Sequence, residues 1–336
     1  MRNRAVWAVV AAFSVAGAVS GCSDEDDGPF ITVYNAQHEE LLEEIAPLYE
    51  EETGIEVRLR NGDDFELANQ LVQEGDASPA DVFLTENSPA MSLVESNDLF
   101  APVDSETLAL VPEQFSPSSG DWMGFVARST TLVYNTDLID ESELPDSIMD
   151  LAEPEWDGRV SFSPSGADFQ AIVSAVLDVE GEDATQAWLE GLTANGEVYQ
   201  GNNVVLESVN AGQVETGIVY HYYWYRDQAE SGEYSDNSEQ YFFGNQDPGA
   251  FVSVSGAGVL TSSDKQDDAQ DFLAFLAGVE GQQAIADSYA LEYPLNPEVQ
   301  LDPPVKPFSE LQPPDIDVST LNGPKVIEMM QSVGLL

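Results

Sequence analysis

The chain has 336 residues, with 62 Asp and Glu against 10 Lys and Arg, for a formal net charge of −52. This excludes a nucleic-acid partner, because a phosphate backbone needs a basic patch. A single cysteine leaves no pair for an internal disulfide or a cysteine-rich metal site, and the length is enough for two domains with real cores. The acids are spread along the whole chain, which fits a solvated surface suited to very salty, halophilic surroundings. In molar salt the screening length falls to about 3 Å, so the net charge names no ligand.

Met1 to Gly21 reads as a signal segment: Arg2 and Arg4 precede an apolar run, Ala5 to Val19, too short to span a bilayer comfortably. It ends in Val19-Ser20-Gly21-Cys22, which resembles the lipobox of bacterial-type lipoproteins and implies a lipidated Cys22. Residues 22–29 then form an acidic tether with nothing to bury. Phe30 to Tyr34 alternates apolar and polar residues as a first strand. A helix follows, with Leu41, Leu42, Ile45, Leu48 and Tyr49 on one side and Gly54 as its stop. Ile55 to Leu59 is a second strand, Asp63 to Glu74 a second helix, and Ala80 to Leu84 a third strand that ends at Thr85-Glu86-Asn87. Strands and helices alternating at this spacing predict a doubly wound α/β unit with a parallel sheet. Ligands of such sheets bind beyond the carboxyl ends of the strands. That rim receives His38, after the first strand, and Glu86, after the third.

A second unit begins near Trp122. Phe125 to Tyr134 is strand-like and long enough to pass from one domain to another. Val160 to Phe162 leads into Ser163-Pro164-Ser165-Gly166-Ala167, a small-residue turn that opens an apolar helix. Free N–H groups at such a start favour an anion, although ordinary capping by serine needs no ligand. Asn202 and Asn203 open a further helix. After it comes Gly217-Ile-Val-Tyr-His-Tyr-Tyr-Trp-Tyr-Arg226. Adjacent Tyr222 and Tyr223 would face opposite ways in a strand but sit about 100° apart at the first turn of a helix. There both phenol oxygens could lean toward one point, as a hard, highly charged cation requires. Taken alone, the stretch reads rather as core and rim aromatics. Val252 to Leu260 returns as a strand, Phe272 to Leu276 is an apolar helix, and Val326 to Leu336 closes the chain as an amphipathic helix.

In this order, Thr32-Val-Tyr-Asn-Ala-Gln-His38, Ser78-Pro-Ala-Asp-Val-Phe83, Pro164-Ser-Gly-Ala167, Tyr222-Tyr-Trp224, Asp247-Pro-Gly-Ala250 and Glu292-Tyr-Pro-Leu-Asn-Pro297 resemble the ferric-iron-binding substrate-binding proteins of ABC importers. The likeness runs from about Ile31 to Leu336. It implies a two-lobed periplasmic-binding-protein fold of type II, each lobe a mixed, mostly parallel sheet flanked by helices, with crossing strands as the hinge. The boundaries are then 30–125 for lobe 1, 126–250 for lobe 2, 251–290 for a return to lobe 1, and 291–336 for a C-terminal segment packing mainly on lobe 2.

The resemblance also implies a site. Fe(3+) would be held by His38, Glu86, Tyr222 and Tyr223, with a phosphate or carbonate anion at Ser165, Gly166, Ala167, Asn202 and Asn87. His221, Tyr220 and Arg128 would stand around these ligands. This chain has Tyr220 and His221 where such proteins carry two asparagines, and His221 could be an extra ligand, a supporting donor or plain lining. Carboxylate and phenolate oxygens are the hard donors that suit ferric ion. Further implications are a monomeric receptor on the outer face of the cell membrane, held by a lipid anchor, with an ABC permease and ATPase as partners and no catalysis of its own. Two alternatives stand beside this: the same fold holding an organic or phosphonate solute, and a secreted hydrolase. The second lacks Gly-x-Ser-x-Gly and His-Glu-x-x-His.

Overall fold

The structure, a computed structural model, describes residues 28–301 and 305–336; Cys22 and the signal segment lie outside them. The strand Phe30–Ala36 pairs in parallel with Glu56–Asn61 on one side and with Val82–Thr85 on the other. Its alternation buries Ile31 and Val33 completely. The helices Glu39–Thr53 and Asp64–Glu74 link these strands. Gly54 ends the first helix at φ 74, its N–H returning to the Glu50 carbonyl, which costs a glycine little. Asp63 starts the second by accepting from the Phe65 N–H at 3.1 Å, a side-chain cap. Leu41, Leu42, Ile45 and Tyr49 are buried as expected, whereas Leu48 is 37% exposed. It sits at the edge of the apolar stripe that those four residues define.

The strand Met123–Asn135 is buried along all 13 residues and belongs to both lobes. Its first half runs antiparallel to the return strand Val252–Leu260. Its second half pairs with Thr216–Tyr220 and Ser238–Tyr241. The change of partner falls between Ser129, opposite Val252, and Thr130, opposite Tyr220. In the second lobe Val160–Phe162 lies parallel to Thr216–Tyr220 and to Glu197–Val198, and the helix Ala167–Glu180 follows it. The result is the two-lobed α/β architecture with mixed sheets and a crossing strand as hinge.

Two large apolar cores correspond to the lobes. One gathers Val33, Phe83, Phe125, Val254 and Phe272; the other gathers Leu132, Phe162, Phe169, Trp188 and Met330. The C-terminal stretch is shared between them. Tyr293, Leu295 and Val318 enter the first core, while Ile316, Leu321, Val326 and Met330 enter the second.

Gly124 marks a tight point on the crossing strand, because a Cβ there would run into the Phe115 carbonyl oxygen and sit 3.2 Å from Leu295. Overpacking of this kind costs about 1–3 kcal/mol. Gly124→Ala is accordingly expected to lower thermal stability by that amount; an unchanged melting temperature would contradict it.

Candidate metal centre

The site lies where the two lobes meet, at the carboxyl rim of the first sheet. His38 occupies the N-cap position of the helix Glu39–Thr53. Its backbone N–H donates to Gln37 Oε1 at 2.6 Å, so the imidazole is aimed by its own neighbour. Its Nε2 stands 3.1 Å from Glu292 Oε1 and 3.7 Å from Glu86 Oε1. Burial works against a charged imidazole here, but the bond to Glu292 and the charges of Glu292 and Glu86 outweigh it and raise the His38 pKa.

Glu86 is fixed through its main chain. Its N–H and that of Asn87 donate to the two carboxylate oxygens of buried Asp64, at 2.8 and 3.0 Å. Its carbonyl accepts from Arg128 Nη1 and, at 3.1 Å, from Ser255 Oγ. With the backbone held on both sides, the side chain is left to face the cleft. Burial, then the charge of Glu86, raises the Asp64 carboxyl well above its usual range.

The tyrosine pair comes from the other lobe. The strand Thr216–Tyr220 ends and a helix begins at His221, which puts Tyr222 and Tyr223 in the first helical turn. Their rings stack at 4.3 Å with 30° between the planes. Tyr222 Oη donates to Glu86 Oε1 at 3.3 Å across the cleft. Tyr223 Oη donates to Asp168 Oδ2 at 3.0 Å. Burial, reinforced by Asp168 and Glu86, raises both phenols well above their ordinary value. At neutral pH both are therefore protonated phenols.

Asp168 was not singled out by the sequence reading. It stands in the first turn of the helix Ala167–Glu180 and accepts from Asn202 Nδ2 at 2.8 Å and Asn87 Nδ2 at 3.4 Å, besides Tyr223. Burial, then the nearby Glu86 charge, pushes its carboxyl up to about 7. Asn87 and Asn202, expected on a bound anion, thus converge on a carboxylate of the chain itself. Gly166 caps this helix, while Ser165 and Ala167 line a groove with Phe65, Leu93 and Ile327. Tyr220 is buried, its hydroxyl 3.3 Å from both Asn87 Oδ1 and the Asp168 carbonyl.

His221 does not face the cleft with Tyr222. Its Nδ1 accepts the Ser129 N–H at 3.2 Å, its Nε2 lies 3.0 Å from the Leu291 carbonyl, and its ring stacks on Tyr293 at 4.4 Å. Burial drives its pKa down to about 3, so a neutral imidazole with both nitrogens engaged pins the hinge. Arg128 is fully buried and bonds Glu292 Oε2 at 2.6 Å and Ser255 Oγ at 2.7 Å. Among the described residues, no three His, Cys, Asp or Glu side chains form a metal-holding group by themselves.

Two lobes on a crossing strand, with polar groups from both converging on one cleft, define a solute receptor of the periplasmic-binding-protein type. The chain belongs to the family of bacterial extracellular solute-binding proteins, whose pattern matches residues 77–318. It is 50% identical over 320 residues to an Fe(3+)-binding periplasmic protein of Serratia marcescens, covering 95% of this chain and 94% of the relative. It is 37% identical over 271 residues to the major ferric iron-binding protein of Neisseria gonorrhoeae, covering 80% and 82%. Iron-bound HitA from Pseudomonas aeruginosa superposes with a TM-score of 0.85 at 42% identity, over 91% of this chain and all of that one. A Trichodesmium protein in complex with iron and citrate does so with a TM-score of 0.80 at 25% identity, again over 91% and 100%.

Proposed function

We propose that this chain is an extracytoplasmic receptor that closes over ferric iron with Tyr222, Tyr223, Glu86 and His38 and delivers it to an ABC permease and its ATPase. The observation that carries the reading is the 3.3 Å contact between Tyr222 Oη of one lobe and Glu86 Oε1 of the other, with Tyr223 stacked beside it. Hard oxygen donors from both lobes meet where neither lobe alone has the set, as ferric ion and hinge closure require. The ferric iron-binding relatives support the cargo. Asp168 fills the place of the phosphate or carbonate, gathering Asn87, Asn202 and Tyr223 on its own oxygens. Cys22 supplies a lipid anchor on the outer face of the cell membrane, and the receptor works as a monomer. No bond is made or broken: it is a carrier and not an enzyme.

Release is tied to protons. Both phenols hold their protons without the cation, and metal binding must drive those protons off. Affinity therefore falls as pH falls, about a hundredfold per pH unit for two protons. Below about 7 Asp168 also carries a proton in the free receptor, which steepens the dependence toward a thousandfold per unit. Chelator competition across pH 5 to 9 measures this; a pH-independent affinity would contradict phenolate ligation.

The cargo is tested on protein purified from iron-supplied cells, by metal analysis together with a visible spectrum. One ferric ion per chain and a phenolate-to-ferric absorption band are expected. A colourless protein that leaves added ferric salt unbound, or one that carries an organic or phosphonate solute instead, would overturn the reading.

A further inference from the structure

Glu292 opens a stretch that the iron reading leaves without a role, and it is the most deeply enclosed acid near the cleft, fully buried. It reaches His38 by two routes. Its Oε1 lies 3.1 Å from His38 Nε2. Its Oε2 lies 3.4 Å from Gln37 Nε2, and the Oε1 of that same amide holds the His38 backbone N–H at 2.6 Å. Glu292 is itself gripped by Arg128, whose Nη2 is 2.6 Å from Oε2 and 2.7 Å from Ser255 Oγ. The residue before it, Leu291, adopts φ 53, a conformation that a branched side chain keeps only where its surroundings impose it. The Leu291 carbonyl is tied to His221 at 3.0 Å. A fixed backbone, a buried guanidinium and two contacts thus converge on one imidazole.

The geometry points to Glu292 as a positioning residue for the cargo site, one that holds the His38 ring in the cleft and acts on the cation only through it. This rests on the reading of His38 as a ligand. A carboxylate oriented by Arg128 and pressed against the imidazole edge limits the ring to a narrow range of rotation. An imidazole so restrained loses less freedom when the cation arrives than a free one would. With Nε2 taken up by Glu292, Nδ1 is the ring nitrogen left for the cation, and outer contacts on the opposite nitrogen typically contribute 10–100-fold to metal affinity.

The test is a double-mutant cycle on the whole chain, with ferric ion as the probe and citrate as competitor. His38→Ala alone tests the ligand reading, which is overturned, with this inference, if affinity stays within twofold of wild type. Glu292→Gln is expected to weaken ferric binding roughly 10–100-fold in the wild-type background and to change it less than about threefold when His38 is already Ala. An unchanged affinity in Glu292→Gln, or an equal loss in both backgrounds, overturns the inference while leaving His38 a ligand. Glu292→Gln also leaves Arg128 without its charged partner. Should that variant fail to fold, Glu292→Asp takes its place, keeping the charge beside Arg128 while drawing the oxygens back from His38. The same background-dependent loss is expected of it, and wild-type affinity in Glu292→Asp overturns the inference.

Discussion

Replacing Tyr222 and Tyr223 together by Phe is expected to abolish ferric binding and the visible absorption band while leaving the fold intact. The rings remain, so their 4.3 Å stack remains. The free receptor loses two hydroxyl donors, to Glu86 and Asp168, each worth on the order of 1 kcal/mol or somewhat more with a charged acceptor. The loaded receptor loses two phenolates. Removing one partner of a buried charge pair costs about 3–5 kcal/mol, which is about 10²–10⁴-fold in affinity for each tyrosine. Affinity should thus collapse while the thermal transition of the free protein moves little. The single variants separate the roles: Tyr222→Phe breaks the phenol contact across to Glu86, and Tyr223→Phe breaks the link to Asp168. A double variant that still binds iron tightly would remove the phenols from the ligand set.

Asp168→Ala is expected to turn an anion-independent receptor into an anion-dependent one. In the structure Asp168 takes up Asn87 Nδ2, Asn202 Nδ2 and Tyr223 Oη, the donors that a bound phosphate or carbonate would otherwise occupy. Loss of a buried carboxylate beside a trivalent ion should weaken binding by about 10²–10⁴-fold in buffer freed of phosphate and carbonate. Added phosphate should restore most of it, because the donors are left facing an open position. Wild-type affinity should be indifferent to phosphate. A wild-type protein that needs added phosphate, or an Asp168→Ala variant that phosphate does not help, would contradict this assignment.

These effects depend on features that were unequally visible in the chain. The first-lobe strands and helices were legible because their alternation and stop signals are local: Gly54 and Asp63 end and start helices as their chemistry demands. The helix start beneath the tyrosine pair was legible too, since adjacent side chains lie about 100° apart in a helix and a helix begins at His221, but the pair's role as ligands came from the resemblance alone. Asp168, Asp64 and Glu292 were not legible. In a chain with 62 acids, residue type carries no information, and only burial separates these three from the solvated majority. The turn Ser165-Gly166-Ala167 was legible as a helix start, whereas the next residue, Asp168, on whose carboxylate Asn87 and Asn202 converge, was marked by no motif. His221 sits among the aromatics that define the site, yet the crossing strand and Leu291 engage both its nitrogens, a partnership made by residues about 70 and 92 positions away. Leu48 shows the limit of periodicity, since a residue at the edge of a stripe is decided by what packs there.

The most direct test of a trivalent cation held between the lobes is an anomalous difference map at the iron edge from a crystal of the iron-loaded protein. A single peak is expected in the cleft, within bonding distance of the Tyr222 and Tyr223 phenol oxygens, Glu86 and the His38 ring, with Asp168 against it. A peak elsewhere on the molecule, or a peak bound by one lobe only with the phenols turned away, would contradict the account.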